Sequence, residues 1–189
     1  MSSPPHPAPS PPGPPPVIVR PCFQQDLEQV RLIYAHHVYN GAGTFEIEPP
    51  DAAEIERRWA DVVARGWPYL VASPMEDLTR VLGFAYARQF RDRAAYEGAF
   101  EDSVYVAPNF ARQGIGAALL GQLLVELKQD GAREVTALIG DSKNTASIAL
   151  HAKAGFTKVG VFVELGCKFG RLYDVVMMQR NLSRASLRT

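Results

Sequence analysis

Cysteine is scarce in this 189-residue chain: Cys22 and Cys167 stand far apart, with no second Cys or His at metal-ligand spacing. That leaves no disulfide framework, argues against a zinc centre, and suits a reducing, cytoplasmic compartment. No apolar stretch approaches the ~20 residues of a membrane span, and no basic segment followed by an apolar one marks a secretory leader. Net charge is absent too. Twenty acidic and twenty basic side chains cancel, so no overall field draws the chain to nucleic acid or to an anionic membrane. No Ser/His/Asp order and no carboxylate cluster suggests hydrolysis or a metal. What is present is ordinary globular composition, 47% apolar and 21% charged, at a length that suits one folded domain with small-molecule partners.

Proline is concentrated at one end. Nine prolines fall within residues 1–16, where His6 is the one titratable side chain. Such a stretch has almost nothing to bury and is read as a disordered tail, with a polyproline II ligand as the alternative. The folded domain is expected over 17–182, followed by a short tail over 183–189.

Val17-Ile18-Val19-Arg20 opens the domain as a strand, and Asp26 starts a helix with the apolar stripe Leu27, Val30, Ile33, Tyr34, His37, Val38. His36 and His37 read as packing or rim residues. Asp51 and Glu54 have capping-box spacing and start a second helix, which Gly66-Trp67-Pro68 ends. Tyr69 to Ala72 and Val81 to Arg88 form an antiparallel hairpin, with Gly83 marking a bulge. Asp102 to Ala107 is a central strand, Gly114 to Gln129 a helix on five leucines, and Glu134 to Ile139 a parallel strand. A short helix over Asn144 to Ala154 and strands over Phe156 to Val163 and Leu172 to Met178 complete the order.

The most informative segment is Arg112-Gln113-Gly114-Ile115-Gly116-Ala117, between that central strand and that helix. Two glycines let a ligand approach the backbone, and the first N–H groups of a helix point at whatever anion lies there. The segment lacks the third glycine of the dinucleotide fingerprint and the Gly-Lys-Ser/Thr of a P-loop. It resembles instead the R/Q-x-x-G-x-G/A motif of the GCN5-related N-acetyltransferases, including the strand before it and the helix after it. Asn144, with Leu150-His151 and Gly155-Phe156, is similar to a second segment of that family. Taken alone, the Asn is an N-cap and the Gly-Phe a helix stop.

The resemblance implies a mixed α/β acyl-CoA N-acyltransferase fold, a central mixed, twisted sheet of about seven strands flanked by about four helices. It also implies acetyl-CoA as co-substrate and no metal. Cofactor contacts fall on the backbone of Val104, Tyr105 and Val106, on Arg112, Gln113, Gly114, Ile115, Gly116 and Ala117, and on Asn144. A closer similarity is to the phosphinothricin and methionine sulfoximine N-acetyltransferases. It is carried by Thr44-Phe45-Glu46, Arg93 and Tyr96, Glu101 in Glu-Asp-Ser-Val-Tyr-Val, Gly166-Cys167-Lys168 and Tyr173-Asp174-Val175.

This subgroup resemblance implies that Glu101, set just before the central strand, is the general base, and that Phe45, Arg93 and Tyr96 bind the acceptor. An ordinary Glu is too acidic for an α-ammonium by roughly 5 kcal/mol, so burial or a water relay must close the gap. Bland readings stand beside these: a solvated carboxylate for Glu101 and a surface arginine for Arg93. His151 is open among an acid for the departing thiolate, a second base through water, and a satisfied core histidine. The family also implies a homodimer, for which Val161-Phe162-Val163 and Phe169 would suit an interface. The expected reaction is acetyl transfer to the α-amine of a small amino-acid-like acceptor; the alternatives are a protein amine or a coenzyme A sensor without turnover.

Overall fold

In the computed structural model, which describes residues 16–183, a seven-stranded sheet runs in the order β1-β2-β3-β4-β5-β7-β6. Its strands are β1 (Val17–Pro21), β2 (Tyr69–Pro74), β3 (Gly83–Gln89), β4 (Ala99–Val106), β5 (Glu134–Gly140), β6 (Thr157–Lys168) and β7 (Arg171–Asn181). Four helices cover it: α1 (Leu27–Asn40), α2 (Ala52–Ala64), α3 (Ile115–Gln129) and α4 (Thr145–Lys153). The mixed α/β architecture is the expected one. The proline-rich tail, Pro16 apart, and nearly all of the C-terminal tail lie outside the described residues.

Strand alternation sorts the core onto two faces of the sheet. Leu70 and Ala85 meet Leu119, Leu120, Leu123 and Leu127 of α3. Tyr69, Val71 and Phe84 meet Val30, Ile33, Tyr34 and Val38 of α1 and Ile55 and Val62 of α2. Four of the five expected α3 leucines are 0% exposed, and Leu124 is 4% exposed; at roughly 1.5–3 kcal/mol each, this stripe is a large share of what holds the helix to the sheet. Asp51 caps α2 as expected, its carboxylate accepting from the Glu54 N–H at 2.8 Å.

Three local expectations need correction. Gly83 is not a bulge: it pairs in register with Val106. A Cβ there would stand 2.8 Å from Tyr105 O and 3.1 Å from Leu119 Cδ1, so the glycine serves close approach of strand and helix. Glu101 lies inside β4, which starts at Ala99. The last two strands run well past Val163 and Met178. A register shift between Phe162 and Gly166, with Glu164 at φ 54°, breaks the alternation that would have marked them in the sequence.

Candidate active site

β4 and β5 pair in parallel only through Ala99–Glu101 and Glu134–Thr136. Beyond Glu101 the two strands diverge and a gap opens in the middle of the sheet. The ladder phase of β4 is fixed by Ala107 N–H donating to Leu82 O and Phe90 N–H donating to Ala99 O, both at 2.9 Å. In an antiparallel pair this phase turns the main-chain groups of Glu101, Ser103 and Tyr105 toward β3 and those of Val104 and Val106 toward the gap. The His37 ring lines the same space and donates from Nε2 to Val106 O at 2.9 Å, which fixes its tautomer. Burial pushes the His37 pKa below its ordinary value, although the carbonyl bond opposes the shift. His37 is therefore more than a rim residue.

The turn after β4 is built for an anion. Arg112 and Gly114 have φ 61° and 82°, and the residue between them is not left-handed. Alternating backbone hands of this kind aim successive N–H groups into one concavity. The first helical bond of α3 comes from Ala118 N–H to Gly114 O at 3.0 Å, so the N–H groups of Ile115, Gly116 and Ala117 have no partner within the helix. Arg112, Gly114, Gly116 and Ala117 line a cavity of about 1220 Å³ together with Val104, Tyr105 and Val106. Gln113 and Ile115 are not among its lining residues. The Gln113 side chain donates to Asn109 O at 3.2 Å and Ile115 is 1% exposed in the core, so both bring only their main chain to the turn.

Asn144 also lines the cavity and is the N-cap of α4. Its Oδ1 accepts from Ser147 N–H at 3.1 Å, and its Nδ2 donates to Gly140 O at 3.2 Å. One N–H and one lone pair of the carboxamide remain.

His151 lies two turns further along α4, 4% exposed. Its Nδ1 is 2.8 Å from Ser147 O and its Nε2 is 3.0 Å from Asp102 Oδ2. A carbonyl only accepts, so Nδ1 carries a hydrogen and donates it to Ser147 O, and Nε2 faces Asp102, with which the ring forms an ion pair when it is protonated. Burial works against that charge, but the Asp102 hydrogen bond and charge outweigh it and raise the His151 pKa above its ordinary value. Both ring nitrogens are engaged, as in a satisfied core histidine. Asp102 Oδ1, by contrast, is buried without a hydrogen-bond partner. Sequence reading missed Asp102. The available signal was an acid between Phe100 and Val104 on the inward face of a central strand.

Glu101 points to the opposite side of β4 from Asp102 and lines the cavity. Burial pushes its pKa above the usual carboxylate value, Arg88 and Arg91 pull it back, and Asp102 adds to the rise. Arg88 stands directly across from Glu101 on β3, and both arginines line the cavity. Arg93 and Tyr96 do not. Gln89 Nε2 gathers the carbonyls of Arg91 and Arg93 at 2.7 and 3.0 Å, and the turn so formed leaves Arg93 exposed and Tyr96 38% exposed, its ring against Phe90. Phe45 lines the cavity as a wall seated on Gly140 and Gly166. Among the described residues no group of His, Cys, Asp and Glu could hold a metal ion, and no helix is long and apolar enough to cross a membrane.

Comparison with known proteins finds matches in sequence and in fold. Residues 33–156 match the model of the acetyltransferase (GNAT) family. A phosphinothricin N-acetyltransferase of Alcaligenes faecalis is 46% identical over 165 residues, 87% of this chain and 82% of that protein. An L-methionine sulfoximine/L-methionine sulfone acetyltransferase of Pseudomonas aeruginosa is 37% identical over 83% of this chain and 90% of its own length. The crystal structure of a GNAT superfamily phosphinothricin acetyltransferase from Sinorhizobium meliloti in complex with acetyl-CoA superposes with a TM-score of 0.85, at 36% identity and 92% coverage of each chain. A family model over residues 33–156, relatives matched along most of the chain and the shared fold lead to one conclusion: the chain belongs to the GNAT family of acetyltransferases.

Proposed function

We propose that the protein transfers an acetyl group from acetyl-CoA to the α-amine of a small amino-acid-like acceptor of the phosphinothricin, methionine sulfoximine or methionine sulfone type. The observation that carries this reading is Glu101, a half-buried carboxylate of raised pKa at the point where β4 leaves β5. Bound acetyl-CoA supplies the acyl thioester. The residues fit such a ligand: the N–H groups from Gln113 to Ala117 and the Arg112 charge would hold its pyrophosphate, and Asn144 and the gap-facing groups of Val104 and Val106 would hold its amide arm.

Glu101 takes a proton from the acceptor ammonium, directly or through one water, and its raised pKa narrows the mismatch with an amine near ~8. The freed amine then forms the new C–N bond at a carbonyl polarised by an N–H of β4 near Val106, and as the C–S bond breaks the departing sulfur takes up the proton that the amine sheds. Arg91 and Arg88 replace Arg93 as the groups proposed to bind the acceptor carboxylate, since a guanidinium fork suits an oxyanion and neither makes an ion pair among the described residues. Arg93 and Tyr96 retain a role in this proposal only at a subunit boundary. The exposed apolar face of β6 and its turn, with Phe162 47%, Val163 74%, Leu165 62% and Phe169 56% exposed, supports a homodimer. His151 is assigned to holding charge beside Asp102 rather than to direct proton donation. The proposed compartment is the cytoplasm.

The test is thiol release from acetyl-CoA against methionine sulfoximine, methionine sulfone, phosphinothricin, the common amino acids and a peptide pool, with Glu101→Gln alongside. Saturable turnover of one small amine, lost in the variant, is expected. Turnover of peptides alone would overturn the small-acceptor reading, and tight acetyl-CoA binding without any turnover would favour a sensor.

A further inference from the structure

Lys168, at the end of β6, is 2% exposed. Each of the other buried charged groups has an oppositely charged partner, Asp26 with Arg20 and Asp102 with His151, whereas Lys168 forms no ion pair among the described residues. Its ammonium donates to Gly41 O and to Thr44 O, both at 2.8 Å, and stands over the Phe169 ring. Burying an ammonium is costly unless its hydrogens are taken up. Here two of them are taken up by the two ends of one short loop segment.

Phe45 follows the second of those carbonyls. Gly166, two residues from Lys168 and on the same face of β6, is the floor under the Phe45 ring: a Cβ on Gly166 would lie 2.5 Å from two ring carbons. The next residue, Glu46, is held from another side by Tyr34 Oη at 2.9 Å and Arg58 at 2.6 Å. The ring thus has a socket, an ammonium fastening the loop before it and an ion pair fastening the loop after it. The burial of Lys168, which lowers its pKa from the ordinary value although Glu46 opposes the shift, is consistent with a group kept for its donors.

We propose that Lys168 is a positioning residue for the acceptor: it clamps the 41–46 loop onto β6, sets where the Phe45 wall stands, and so limits the size of acceptor that fits beside Glu101. The inference rests on the acyl-transfer reading of the cavity. Its effect is confined to one of the two substrates, because the clamp touches nothing of the glycine turn.

The experiment uses the full chain with Lys168→Met, which keeps the stem and removes the donors, and Gly166→Ala, which keeps the ammonium and lifts the ring. Amide hydrogen exchange of residues 41–46, the acceptor KM and the acetyl-CoA Kd are measured for each. The expected result is faster exchange in the loop but not in β4 or α3, an acceptor KM raised about tenfold or more, and an acetyl-CoA Kd within about twofold of the parent. A folded Lys168→Met protein with unchanged loop exchange and acceptor KM overturns the proposal, as does an equal loss of affinity for both substrates. If Lys168→Met does not fold, Gly166→Ala decides: an unchanged acceptor KM there overturns the socket and with it the clamp. Absence of small-amine turnover in the parent would defeat the proposed reaction, while the exchange data would still report on the loop.

Discussion

The two ends of the cavity are made in different ways. The glycine-turn end comes from one continuous stretch, β4 through the first turn of α3, and presents mostly main chain, N–H groups aimed by the backbone hands of Arg112 and Gly114. The proposed acceptor end is assembled from side chains far apart in sequence: Phe45 and Glu46, Arg88 and Arg91, Glu101, and the Gly166 floor beneath Phe45. A site made of main chain tolerates most changes of side chain, provided the backbone keeps its path. One made of side chains changes its preference with each substitution.

That contrast is broken most severely at Glu101. Glu101→Gln is expected to lower turnover by about 10²–10⁴-fold while leaving acetyl-CoA affinity unchanged, read by thiol release and calorimetry. The pH profile carries the same information. Burial raises the Glu101 pKa and the proposed base works deprotonated, so kcat/KM should fall on the acid side at a pH above that of an ordinary carboxylate. Arg88→Met removes a charge that holds this pKa down and should move the acid limb higher still.

Next in size is the buried pair between the two ends. Asp102→Asn leaves His151 without its counter-charge and should cost about 3–5 kcal/mol of stability in urea unfolding. The folded pKa of His151 is raised, so the pair's contribution is complete below the unfolded value near ~6.5 and is lost as pH rises through the folded one. The variant should lose that dependence.

Gly114→Ala tests the main-chain end. There is open space around its would-be Cβ, so the strain is that of the left-handed backbone, about 1–2 kcal/mol. The expected result is acetyl-CoA binding weakened about tenfold, with the acceptor KM unmoved. The smallest effects sharpen the acceptor end: Arg91→Met should raise acceptor KM about tenfold, through loss of a charge-assisted bond, whereas Arg93→Met should change it by less than about twofold.

What was legible in the sequence was local. The Arg112 to Ala117 turn, the leucine stripe of α3, the Asp51 cap and the order of elements along the chain all depend on neighbours within a turn or a segment. Asp102 was not legible as a partner of His151, 49 positions away, nor Lys168 as a partner of Gly41, 127 positions away. Arg91 and Arg93 are chemically identical in the sequence, and only the Gln89-bound turn decides which one enters the cavity. The far half of β6 was hidden because its register shift removes the period that identifies a strand.

The three-residue pairing of β4 with β5 has a mechanical side. A sheet joined over so short a length is two leaves on a common spine, β1 to β4 on one and β5 to β7 on the other. Glu101, Arg88 and the glycine turn belong to the first leaf; the Gly140 and Gly166 seat of Phe45 and the clamp at Lys168 belong to the second. The angle at the spine therefore sets the width of the gap, and Phe100 and Val135, paired across the spine and buried in the core, are residues through which packing bears on it.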